Sequence, residues 1–179
     1  MFRREFLQKN NISFHPELRV HEDTYFLSVA AEYTEKIGWY AITSYVWKWG
    51  EDSITRHDSG IYRYDSSIEF IKACSYAHER AEIRNPEHME YKIVQLTLYH
   101  YFSLHSADWL QPGHIEYLKP TEEAFVEYIS PYWKYWQNAA PETIAKIYNE
   151  ERQKSYQGQV EYETLAQWLD RLGLKETVD

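Results

Sequence analysis

The sequence predicts an α/β, mostly helical protein: a partial mixed sheet at the N-terminal end, followed by a C-terminal helical array. Three observations lead there. Elements before residue 60 are short and change character. Residues 39–49 are rich in β-branched and aromatic side chains. Beyond residue 60 long stretches repeat their apolar positions with helical spacing. The 179 residues are 44% hydrophobic, enough to bury a core. The texture change divides the chain into 1–60 and 61–179.

Taken in order, "FRREFLQKN" is a brief helix with Phe2, Phe6 and Leu7 on one side. "NNISFHPEL" is a loop, because Asn-Asn and the residue before Pro16 disfavour helix. From Glu22 to about Tyr33 the spacing of Phe26, Val29, Ala30 and Tyr33 predicts a helix. Gly38 is expected to end it, since glycine accepts a left-handed cap. "WYAIT" and "SYVWKW" read as strands, and "GEDSITRHDSG" as a charged loop.

"SSIEFIKACSYAHERAEI" offers an inward stripe of Ile68, Ile71, Cys74 or Ser75, and Ala81. "PEHMEYKIVQLTLYHYFSLH" opens with Pro86, tolerated in a first turn, and turns Met89, Ile93 and Leu96 inward. Further helices are expected at about 120–130, 141–156 and 161–172. Thr121 with Glu122 and Glu123 suits a helix opening, and Gly173 a stop.

Composition excludes several classes. The formal charge is −9 and no basic block is present, so nucleic acid and anionic lipid find no electrostatic footprint. The single Cys74 rules out an internal disulfide framework and cysteine-rich zinc sites. No stretch resembles a signal peptide or a membrane span, so cytoplasmic residence is expected. His-Glu-x-x-His, a Gly-rich phosphate loop and a Gly-x-Ser-x-Gly elbow do not occur. The chain holds 17 Tyr, 7 Trp and 7 Phe, side chains that fill cores and also stack on sugar or nucleotide rings.

Four blocks within residues 2–56 stand in a telling order. They are "RREFL", "N-I-S-F", the Glu22-Asp23 pair opening a helix, and "S-I-T-R" after the strand pair. Together they resemble the second half of the catalytic domain of family-2 glycosyltransferases, nucleotide-sugar enzymes with a GT-A fold. Residues 60–179 match only the variable helical tail such enzymes often carry. The resemblance implies hexosyl transfer with inversion from a nucleotide-sugar donor to an acceptor hydroxyl. It gives residues 1–60 a partial GT-A-like sheet.

By the same resemblance Asp23 is the general base, with Glu22 beside it. A carboxylate suits that role when partial burial raises its pKa, and Tyr25 and Phe26 are placed to supply burial. An acidic pair in a first helical turn also simply favours the helix dipole. Arg56 is implied as a diphosphate contact, its fork matching phosphate oxygens, with Ser53 and Thr55 adding hydroxyls. An ordinary solvated loop arginine fits equally. His57 is a weaker assistant. Trp47 and Trp49 share one strand face, to stack on an acceptor sugar or to form a seam between sheet and helices. His21 is placed to hydrogen-bond Glu22 or the acceptor, or only to precede the helix. Arg3 and Arg4 line the entrance or are solvated.

The resemblance also implies Mg²⁺ or Mn²⁺ on the diphosphate, held mostly by an Asp-x-Asp motif that this sequence does not contain. The chain is therefore expected to be the acceptor-side portion, inactive until a donor half is supplied. A donor-half partner chain or a homo-oligomer would cover its exposed apolar surface. The alternative is a non-catalytic sugar- or protein-binding module on the same scaffold.

Overall fold

A computed structural model describes residues 2–38, 60–93, 118–136, 145–146 and 163–174. Its elements are α1 (Arg4–Lys9), α2 (Glu22–Tyr33), α3 (Gly60–Arg84), α4 (Met89–Lys92), α5 (Leu118–Ile129), α6 (Trp133–Trp136) and α7 (Leu165–Arg171). Single 3₁₀ turns at Pro86–His88 and Ser130–Tyr132 lead into α4 and α6.

Among the described residues every regular element is a helix, which overturns the expected α/β class and its GT-A-like mixed sheet. The physical reason lies in α2. Its apolar stripe is covered by another helix and not by a sheet: Val29 and Ala30 pack with Ala73 and Ala77 of α3. An apolar helix face is satisfied by a sheet or by a helix, and periodicity does not say which. The two expected strands, 39–43 and 44–49, lie outside the described residues.

Helix α3 is the central element because it is apolar on two sides. One side contributes Ala73 and Ala77 to a cluster with Ile12, Leu18, Tyr25, Val29 and Ala30. The other contributes Phe70, Ile71, Cys74 and Ala81 to a second cluster with Met89, Ile93, Phe125, Ile129 and Trp168. The small alanines at 30, 73 and 77 let the α2 and α3 backbones approach closely, as interior packing density requires.

The helix ends follow local chemistry. After α1, Asn11 takes a left-handed φ of 54° and the Ile12 amide donates to the Leu7 carbonyl at 2.9 Å. The Asn11 amide donates to Gln8, so the pair forms a Schellman stop. Gly173 does the same for α7 at φ 70°, with the Leu174 amide on the Leu169 carbonyl. The start of α7 is a capping box between Thr164 and Gln167, which places the helix later than the expected residue 161. Helix α2 stops at Tyr33, not at Gly38. Its C-cap is Thr34, which is extended and turns its hydroxyl back to donate to the Ala30 carbonyl at 2.6 Å. Thr121 and Glu122 do not open α5. The helix begins at Leu118, and both residues are buried inside it.

Candidate functional site

The Glu22–Asp23 pair stands on the first turn of α2, where carboxylates favour the positive end of the helix dipole. What sets this turn apart is the residue before it. His21 is the N-cap, yet it holds a left-handed backbone, φ 60° and ψ 16°, and its side chain makes no cap hydrogen bond. Histidine is among the few non-glycine types that visit this region, at some cost in strain. The conformation bends the chain sharply out of the 13–20 loop and into α2. The first helical bond, from the Tyr25 amide to the His21 carbonyl, closes at 3.1 Å.

The His21 ring reaches across to α3. Its Nε2 lies 2.9 Å from the Ser66 hydroxyl, and its face meets the Phe70 ring edge-on at 5.3 Å. Burial lowers its pKa, against an upward pull from Asp23, Glu22 and Glu69. Glu69 also takes the Arg19 amide at 3.1 Å and the Lys72 ammonium at 3.1 Å. The loop between α1 and α2 is thus pinned on α3 at Arg19 and at His21. Further along it His15 stacks flat on Tyr76 at 4.0 Å, and the Tyr76 hydroxyl donates to Glu17 at 2.8 Å. Burial, and then Glu17, push that phenol up to about 12.

Asp23 is exposed; Glu22 is half-buried. The Thr24 amide donates to Asp23 Oδ1 at 2.7 Å, leaving Oδ2 directed elsewhere. Tyr25 is buried against His15, and Phe26 packs with Phe2 and Phe14 at 5.3 and 4.8 Å. These rings serve the core and a surface cluster, so the burial expected of them at Asp23 is not what they provide. Arg3 and Arg4 are both exposed. Trp47, Trp49, Ser53, Thr55, Arg56 and His57 lie outside the described residues.

Among the described residues no group of three His, Cys, Asp or Glu is placed to hold a metal ion. The carboxylates of Glu22, Asp23 and Glu69 act on His21 and form no such group. Among the described residues no helix is long and apolar enough to cross a membrane. Ser66 and Glu69 are the parts of this site that sequence reasoning missed. They lie on α3, with Ser66 45 positions from His21, and no local pattern marks them.

No protein-family model, curated protein or solved structure matches the chain.

Proposed function

We propose that this chain provides the acceptor side of a glycosyl transfer with inversion, in which Asp23 is the general base. The observation that carries the reading is an accessible carboxylate on the first turn of a helix whose start is pinned through His21 to α3. Such a group is rigidly based and open to an incoming hydroxyl. Asp23 takes the acceptor proton as that oxygen attacks the anomeric carbon of a nucleotide sugar. The nucleoside diphosphate then leaves from the opposite face of the ring. In this scheme Arg56, with Ser53 and Thr55, meets the diphosphate, and an Arg fork offsets the charge that develops there. Trp47 and Trp49 offer flat faces to the acceptor sugar. Glu22 stands beside the base on the same turn. Burial of Asp23 comes from the bound acceptor and donor as they exclude water.

A second reading has its own support. Phe2 and Phe14 are 39% and 58% exposed beside Phe26, an apolar ring cluster at the surface. Such a cluster suits a binding module without chemistry. Calorimetric titration of nucleoside diphosphates separates the two. The transferase reading expects binding once an Asp-x-Asp-bearing nucleotide-binding segment is added in trans, and transfer of a labelled sugar from the mixture. Glycan or protein binding with no response to nucleotide in either state supports the module and overturns the transferase.

A further inference from the structure

We propose that His21 is a positioning residue for Asp23, its left-handed backbone and its bond to Ser66 together fixing where the Asp23 carboxylate stands. The inference rests on Asp23 as the base and deepens that reading.

Three observations meet at this turn. The direction in which α2 leaves the loop is set by one residue in a strained region of backbone space, and strain of this kind persists only where surrounding contacts hold it. The holding contacts are identifiable: Ser66 Oγ at 2.9 Å and the Phe70 ring at 5.3 Å, both from α3. Asp23 is two residues beyond, inside the first turn, and its Oδ1 is already occupied by the Thr24 amide at 2.7 Å. That contact ties the carboxylate to the backbone of the first turn, so a change in the turn is passed to it. A capping role does not explain His21, because the side chain caps nothing. Its ring is spent on the tie to α3.

Charge acts in the same place. The charged groups around the imidazole are Asp23 and Glu22 on α2 and Glu69 on α3. Ser66 can serve the neutral ring as donor or acceptor, and a protonated ring only as acceptor. Protonation of His21 therefore alters both the hinge and the field at Asp23.

The test uses the full chain and three variants. Ser66→Ala removes the tie and keeps the backbone; Ser66→Thr restores the hydroxyl; His21→Gly keeps the left-handed turn without the ring. The Thr24 amide resonance, followed by NMR against pH, reports Asp23 directly. Two inflections are expected in the wild type, one from Asp23 and one below the ordinary histidine value of about 6.5 from His21. In Ser66→Ala and His21→Gly the Asp23 inflection moves and the amide signal broadens. His21→Gly also loses the second inflection, and Ser66→Thr retains the wild-type profile. In the transfer assay with a donor segment added, kcat falls roughly tenfold to a hundredfold in Ser66→Ala with KM little changed, the scale of a misplaced catalytic group. An unmoved Thr24 profile in both Ser66→Ala and His21→Gly overturns the positioning role. If Asp23→Asn leaves transfer intact while those profiles do move, the base assignment fails and the hinge stands.

Discussion

Glu122 and Arg171, 49 positions apart, are joined through both carboxylate oxygens, at 2.7 and 2.8 Å. The carboxylate is buried, at 4% exposure, and its Oε1 also accepts the Trp168 indole N–H at 3.0 Å. Arg171 reaches out from this bond to Glu163, and the two carboxylates raise its already high pKa. One buried carboxylate therefore locks α7 onto α5. Replacing Glu122 with Ala removes a buried carboxylate that accepts from both Trp168 and Arg171, a loss of about 1–3 kcal/mol. Arg171→Ala removes the more exposed partner but still strands Glu122, so its cost is comparable. Urea denaturation of both variants checks the pair.

His78 supplies a pH dependence. It is 2% exposed, edge-on to Tyr132 at 5.4 Å. Burial, and then the Lys92 charge, lower its pKa to about 3. The unfolded chain binds that proton near 6.5, so between the two values the unfolded state holds more protons. Stability then falls as pH falls, by about 1.4 kcal/mol per pH unit from this group. Unfolding midpoints at pH 7 and pH 4.5 are expected to converge in His78→Gln relative to the wild type. An equal pH loss in both proteins would show that His78 already protonates in the folded state.

Lys92 and Glu32 form an ion pair between α4 and α2, with side chains 10% and 7% exposed. Asn85 donates a further bond to Glu32 at 2.8 Å. Lys92→Ala leaves the carboxylate buried without its cation, a cost of about 3–5 kcal/mol. The double change Lys92→Met with Glu32→Gln removes both charges and is expected to be markedly less damaging. Thermal unfolding of the single and double variants measures the difference.

The seam between α2 and α3 tolerates only small side chains. Ala73 and Ala30 are fully buried, and Ala77 nearly so. Ala73→Leu forces the helices apart and is expected to cost about 1–3 kcal/mol. Glu79→Leu, at an exposed position of α3, serves as the reference.

These contacts show how far the sequence could be read. The α1 and α2 helices, the Asn-Asn stop and the Gly173 stop are local events, and propensity and spacing reveal them. The second face of α3 was not legible, because Ala73 and Ala77 carry little hydrophobic signal and matter only through the close approach they permit. The stripe of α2 announces a partner without naming its type, and that partner is the helix α3. Glu122 reads as a helix-opening acid until Trp168 and Arg171 arrive from far along the chain. At the candidate site the Glu22–Asp23 pair was visible as a helix start. The tie from His21 to Ser66 belongs to tertiary structure alone, and the remaining expected contacts, from Trp47 to Arg56, lie beyond the described residues.

The most direct measurement is sugar transfer by the full chain, with an Asp-x-Asp-bearing donor segment added, in wild type and Asp23→Asn. The substitution keeps size and removes the proton acceptor, so a drop of roughly 10²–10⁴-fold in kcat is expected with the unfolding midpoint unchanged. Transfer at the wild-type rate by Asp23→Asn would contradict the assignment of Asp23 as the base.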